Sequence, residues 1–293
     1  MARLISLVER GGEPALEVAR LTHGHGGNAY SVGITGSPGA GKSTITDKLI
    51  SVVRAGGSDV GVLAVDPSSP FSGGAFLGDR TRMQDHALDT GVFIRSMASR
   101  GHLGGLALAT PQAIRILDAA GLPWILIETV GVGQVEVEVA AAADTTVVVV
   151  NPGWGDAVQA NKAGLLEIAD LFVINKADRP GARETERDLR DMLSNTTRWE
   201  KAPPIVHTVA LDGTGIDELW SAVLDHRREI EENGRLGERR SRRAADEVRE
   251  IVVRRIEARV FSMCSGDDFD AVVRQVAARA LDPYAAAEQI LRQ

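Results

Sequence analysis

From about Ser31 to about Leu211 the chain repeats one pattern, in which short, nearly unbroken runs of Val, Ile and Leu alternate with stretches of helical character. The runs are SVGITG, VGVLAVD, VFIRSM, WILIETVG, TTVVVVN, LFVINKAD and IVHTVAL. A strand with one face in water alternates apolar and polar residues, whereas a continuously apolar strand needs cover on both faces. Such strands separated by helices imply crossover connections, and therefore a mainly parallel sheet between helical layers.

The two ends read differently. Residues 1–20 have the pattern of a short amphipathic helix, which HGHGGN then breaks. After about Trp220 charges of both signs crowd the chain and no strand-like run occurs, while Val248, Ile251, Val252, Ile256 and Val260 recur at helical spacing as one apolar stripe. Such a helix either packs on its own domain or serves as an arm that pairs with a second copy or a partner. With so little core of its own to bury, the arm fits better.

Composition narrows the partners. A formal charge of −7 argues against a general nucleic-acid binder, which carries a basic face. The single cysteine, Cys264, cannot form an internal disulfide, so a reducing compartment fits. No apolar run approaches the roughly 20 residues that cross a bilayer. The start, MARLISLVERGGE, is interrupted by Glu9 and Arg10 too early for a secretory core. A cytoplasmic protein with no membrane partner is expected.

Chemistry enters with Gly36, Ser37, Pro38, Gly39, Ala40, Gly41, Lys42 and Ser43, followed by Thr44. This is the phosphate-binding pattern G-x-x-x-x-G-K-[ST], set between a strand and a helix as it must be. The glycines let backbone N–H groups converge on phosphates, and the helix that starts at Lys42 adds its positive end. Lys42 is expected to reach the β- and γ-phosphates, and the Ser43 hydroxyl to ligate Mg²⁺. The expected fold is thus an α/β P-loop NTPase, with a mainly parallel sheet flanked by helices and a C-terminal helical arm.

The base is read further along. VINKAD places Asn175, Lys176 and Asp178 at a strand's C-terminal end, where open α/β sheets bind ligands. Guanine presents an N1–H beside a 2-amino group, and one carboxylate accepts from both; adenine has no such pair. Asp178 is accordingly placed to select guanine, Asn175 can bond the purine edge, and the Lys176 stem can lie across the ring. Thr208, Val209 and Ala210 are a weaker candidate for a backbone loop that touches the guanine oxygen. GTP is the expected substrate and GDP the product.

Acids at other strand ends complete the site. Asp66 closes GVLAVD, Asp79 lies in a glycine-rich loop, and Glu128 ends WILIE, where a metal-binding carboxylate belongs. All three are candidates for the magnesium shell, with Lys42, Asp79 and Glu128 in catalytic roles and the Gly131 N–H a donor to the γ-phosphate. For each acid the plain alternative is a surface or capping carboxylate. In Ras-type enzymes a glutamine follows the glycine that corresponds to Gly131 and orients the attacking water. Val132 stands there and cannot do so; Gln134 lies two residues on. Slow intrinsic hydrolysis that a partner accelerates is the expectation. His102 reads as a satisfied loop histidine, Trp154 as a tucked-in ring or a partner contact, and Cys264 as a structural helix residue.

Four long blocks now agree in order with one family. AVDPSSPFSGGAFLGDRTRM, SMASRGHLGGLA, ETVGVGQVEVEVA and NPGWGDAVQANKAGLLEIADLFVINKAD closely resemble the MeaB/ArgK group of P-loop GTPases, over roughly Leu21 to Trp220. The resemblance implies a GTPase chaperone of methylmalonyl-CoA mutase, an adenosylcobalamin enzyme, for which GTP binding and hydrolysis time cofactor delivery, protection and repair. It implies that Asp66, Asp79 and Glu128 surround the magnesium and the switches. It further implies that Asn151 to Lys162 is a mobile loop responsive to the partner, and that a helical arm holds a homodimer. The segment before the phosphate loop is short for that family, and the arm offers little to match residue by residue.

The expected organisation is a helical segment at 1–30, a GTP-binding domain at 31–222 and a dimerisation arm at 223–293. Two other functions are compatible with a phosphate loop. A GTP-driven metallochaperone needs a Cys/His cluster near the switches, which one cysteine and scattered histidines do not supply. An ATPase or kinase that energises basic amino-acid transport needs membrane coupling, and Asp178 favours guanine.

Overall fold

In the computed structural model the residues described are 1–67, 83–99, 105–129, 142–153, 166–194 and 202–292. Seven strands form one parallel sheet: β1 (Tyr30–Gly36), β2 (Val60–Pro67), β3 (Val92–Ser99), β4 (Trp124–Thr129), β5 (Thr145–Val150), β6 (Leu171–Asn175) and β7 (Ile205–Thr208). Their order is β3-β2-β4-β1-β5-β6-β7. The chain runs first to one edge, returns to β4, then crosses β1 to build the other half. Connections leave β1 and its neighbours in opposite directions and open a crevice at their carboxyl ends.

The continuous apolar runs divide by alternate residue between two faces, as the pleat requires. Leu126 of β4 faces a core with Ile45, Leu49 and Val53 of α3 (Lys42–Ala55) and Leu219 and Val223 of α6 (Ile216–Glu232). Its neighbours Ile125 and Ile127 face the opposite core, with Ala113, Ile116 and Leu117 of α4 (Gly105–Ala119). Val148 and Val150 of β5 pack on α5 (Ala182–Ser194) through Leu189 and Leu193. The parallel, doubly covered sheet expected from the sequence is present.

The N-terminal stretch forms two helices rather than one, α1 (Ala2–Arg10) and α2 (Glu13–His23). They part at Gly11 and Gly12, whose φ angles of 73° and 76° are left-handed and incompatible with a continuing helix. Ile5 and Val8 of α1, and Ala15 and Val18 of α2, are buried in the α4-side core. Arg95 on the edge strand β3 reaches Glu9 of α1 at 2.7 Å.

The chain divides into two compact units, Met1–Arg240 and Ser241–Gln293. The 29-residue helix α7 (Arg235–Met263) begins in the first unit. There Arg239 grips Asp170 with bonds of 2.6 and 2.9 Å, and Arg240 reaches Asp144 at 2.8 Å. Asp170 and Asp144 each stand just before a central strand and also accept from a neighbouring strand's backbone N–H, at Thr146 and Ser31 respectively. In the second unit α8 (Asp267–Ala277) and α9 (Pro283–Leu291) bury Val272, Ala286 and Ile290 together, and Asp282 caps α9 by accepting from the N–H groups of Tyr284 and Ala285. Among the described residues no helix is long and apolar enough to cross a membrane.

Candidate functional site

The phosphate loop joins β1 to α3 at the crevice. Gly36 has φ 129°, and a Cβ there would lie 2.0 Å from the Val149 carbonyl oxygen of β5. Only glycine lets the loop leave the sheet this close to its neighbour. Gly36→Ala is therefore expected to push the loop off β5, lowering stability by about 1–3 kcal/mol and weakening nucleotide binding. A thermal melt with titration calorimetry measures both. Gly41, at the N-cap of α3, has φ 95°, and a Cβ would lie 2.3 Å from Asn175 Nδ2.

Lys42 and Ser43 open α3, and both are buried. Lys42 Nζ donates to the Gly36 carbonyl at 2.8 Å and the Ser37 carbonyl at 3.1 Å, which puts its ammonium inside the loop. Ser43 Oγ donates to Glu128 Oε1. Glu128 ends the apolar run of β4 and is 1 % exposed. Parallel register sets Ile34 of β1 beside Glu128, so the carboxylate stands next to the strand that launches the loop. One residue on, the Thr129 hydroxyl donates to Thr35 Oγ1 at 3.1 Å.

The candidate base-reading turn follows β6. Asn175 is 2 % exposed, and its amide bridges three elements. Nδ2 donates to the Ala40 carbonyl of the phosphate loop at 2.7 Å, while Oδ1 accepts from Thr208 Oγ1 at 3.0 Å and the Ala210 N–H at 3.1 Å. Lys176, with a left-handed φ of 59°, extends its ammonium to the Gly39 carbonyl at 2.7 Å. Two motifs some 135 residues apart in sequence are thus hydrogen-bonded to each other. Asp178 sits two residues beyond Lys176 with its side chain exposed.

A phosphate loop tied to an N-K-A-D turn at the head of a parallel sheet is the arrangement of a guanine-nucleotide enzyme, and comparison with known proteins agrees. The family described as methylmalonyl Co-A mutase-associated GTPase MeaB matches residues 1–265. The chain belongs to the MeaB family of GTPases. A putative GTPase of Pyrococcus abyssi is 52 % identical over 100 % of this chain and 91 % of its own length. The GTPase ArgK of Escherichia coli is 38 % identical over 85 % of this chain and 76 % of its own. A crystal structure of a LAO/AO transport system kinase superposes with a TM-score of 0.72 at 26 % identity, covering 99 % of this chain and 91 % of that one.

Within this MeaB-family chain the structure brings together Gly36 to Thr44, Glu128, Asn175, Lys176 and the Thr208–Ala210 turn. Asp66 occupies the next-to-last position of β2, with its side chain outside the described set. Asp79 and Gly131 lie outside the described residues, as do His102, Val132, Gln134, Trp154 and Lys162. The sequence suggested Asn175 for the purine edge and the Thr208–Ala210 amides for the guanine oxygen. The contacts found are internal: besides the Asn175 bridge, the Val209 N–H donates to the Thr214 carbonyl at 2.9 Å. Leu211 escaped the sequence reading. It follows Ala210 with 85 % of its surface exposed, and the available signal was a large apolar residue directly after a candidate base-contact turn.

Proposed function

We propose that this chain binds and hydrolyses GTP as a chaperone of an adenosylcobalamin-dependent methylmalonyl-CoA mutase, gating cofactor loading and protecting the mutase. The observation that carries the nucleotide half is the pair of bonds, Asn175 to Ala40 and Lys176 to Gly39, that sets the guanine-type turn at the mouth of the phosphate loop. The mutase half is supported by the description of the family to which the chain belongs.

In this reading the loop N–H groups and the first turn of α3 hold the phosphates, and Lys42 moves from loop carbonyls to the β- and γ-oxygens. Asp178 accepts from the N1–H and 2-amino group of guanine, with the Lys176 stem on one ring face and Leu211 beside it. Ser43 and Glu128 are adjacent, buried oxygen donors, a hard set that suits Mg²⁺. Those two would hold the ion, with Asp66 and Asp79 as further acids. When bound, it neutralises charge on the phosphate oxygens. Val132 offers no group to orient water, which supports slow turnover until the mutase engages. The exposed stripe Val248, Val252, Ile256 and Val260, on a helix with no buried residue, supports a homodimer built through α7.

The deciding experiment is Asp178→Asn. Loss of two charge-assisted hydrogen bonds is expected to lower GTP affinity roughly 10²- to 10³-fold, while xanthosine triphosphate, which carries a C2 carbonyl, gains. Unchanged GTP binding sinks the base assignment. In a separate assay the mutase is expected to accelerate hydrolysis; equal turnover with and without it leaves a GTPase with some other partner.

A further inference from the structure

The second unit, Ser241–Gln293, has little interior of its own. Among its described residues only Val272, Ala286 and Ile290 are buried together, and α7 contributes no buried residue along its length. A segment this short cannot bury enough apolar surface alone, and is completed by disulfides, a metal or another chain. Its described residues hold no cluster of metal-ligating side chains, and Cys264 is a free thiol.

What the unit does present is an apolar groove of about 370 Å³ between the end of α7 and the helices α8 and α9. Val260, Met263, Phe269, Val276 and Leu291 line it, with Cys264 just past α7. No lining residue carries a charge, and Leu291 keeps 69 % of its surface exposed. The groove continues the exposed stripe of α7. Val248, Val252, Ile256 and Val260 recur every four residues, and the last of them is a groove wall.

Charge and symmetry select the occupant. The unit carries nine basic and nine acidic side chains, so the formal charge of −7 belongs wholly to Met1–Arg240 and two copies of the unit do not repel. Every copy also has both an unfilled groove and an exposed stripe, so one two-fold contact satisfies both partners. A groove cannot fill a groove, which excludes a parallel pairing with like ends together. An antiparallel pairing sets the convex stripe of each α7 into the groove at the end of the other.

We infer that this groove is filled by the α7 stripe of a second copy of the chain. The helices α8 and α9 are then the socket of the dimer, and Cys264 is shielded inside it. Both helices lie beyond residue 265, where the family match ends, so family membership does not supply the socket. The inference rests on the homodimer reading above and fixes which surfaces meet.

Cys264 is the only thiol in the chain, so its reaction with an aromatic disulfide reagent reports on the groove. The rate is measured on the full chain beside sedimentation equilibrium over a dilution series. The chain is expected to sediment as a dimer whose thiol reacts at least about tenfold more slowly than that of the diluted monomer. Val252→Glu and Leu291→Glu change exposed positions, and melting temperature and GDP affinity check that each variant is folded. Each is expected to weaken the dimer by about 10²-fold or more, since it places an unpaired charge in the contact, and to restore the monomer's thiol rate. A monomeric parent chain overturns this inference and the homodimer reading together, and leaves the GTP assignment standing. A dimer whose Cys264 reacts as fast as in the monomer, or one that Leu291→Glu leaves intact, overturns the socket alone. Shielding that appears only when the mutase is added also overturns it, and makes the mutase the occupant.

Discussion

Lys42→Met is expected to reduce GTP turnover by about 10²- to 10³-fold, the usual consequence of removing one fixed electrostatic stabiliser from a reacting centre. The ammonium is buried within the phosphate loop on the Gly36 and Ser37 carbonyls, so its charge is already in place before a phosphate arrives. Methionine keeps the length and the apolar stem but carries no charge, and should leave the loop folded. GTP affinity should fall more than GDP affinity if, as proposed, the lysine serves the γ-phosphate as well as the β. Lys42→Arg should rescue poorly, since a planar guanidinium does not fit where a compact ammonium lies between two carbonyls. Phosphate release and calorimetry provide the measurements. Turnover within tenfold of the parent protein would remove Lys42 from its catalytic role.

The second large effect concerns stability. Arg239→Met is expected to cost about 3 kcal/mol, because it removes the two guanidinium bonds from the buried carboxylate of Asp170 and leaves only His226 and a backbone N–H beside it. Burial by itself opposes ionisation of Asp170, but His226 and Arg239 beside it outweigh that and hold its pKa down at about 2. A carboxyl depressed below its ordinary value contributes stability above that value and loses it on acidification. Stability attributable to Asp170 should therefore be complete above about pH 4–5 and disappear as pH falls toward 2. The Arg239→Met variant should show less of this acid dependence, and Arg239→Met/Asp170→Leu should recover part of the loss by removing both charges. Urea unfolding across pH decides the matter; a variant as stable as the parent would mean the pair is not coupled to folding.

The same cluster shows how a buried polar set can serve architecture. Tyr30 hydroxyl, Thr145 Oγ1 and His226 Nδ1 form a chain of 2.6 and 2.8 Å contacts that ends near Asp170. Burial pushes the Tyr30 hydroxyl well above its usual range, so it stays protonated. Arg227 lies 4.9 Å from the Tyr30 ring centre and 5.0 Å from that of Trp124, and Trp220 packs edge-on against Trp124. These contacts fasten α6 to the sheet around the start of β1, β4 and β5. The opposite, carboxyl ends of the strands are left for the nucleotide.

How much could be read in advance follows the range of the interactions. The seven strands were legible because a doubly covered parallel strand is apolar along most of its length, and β1 to β7 are built on such runs, with polar side chains mainly near the strand ends. The phosphate loop was legible because its chemistry is local: Gly36, Gly41, Lys42 and Ser43 act within eight consecutive residues. The identities of Asn175, Lys176 and Asp178 likewise marked a guanine-type turn. Asn175 was harder. Its side chain could serve a ligand or the protein, and residue type does not distinguish the two.

The amino-acid sequence by itself determined the sheet class, the phosphate loop and the guanine-type motif, since each depends on neighbours in the chain. Tertiary structure alone decided that Asn175 ties Ala40 to Thr208 and Ala210, that Arg239 and Arg240 pair with Asp170 and Asp144, and that His86 meets Asp47. These are contacts between residues about 30 to 140 positions apart. Arginine, aspartate and histidine occur throughout the chain, and the partner each takes is set by which backbone segments the sheet order and helix packing bring within hydrogen-bond distance.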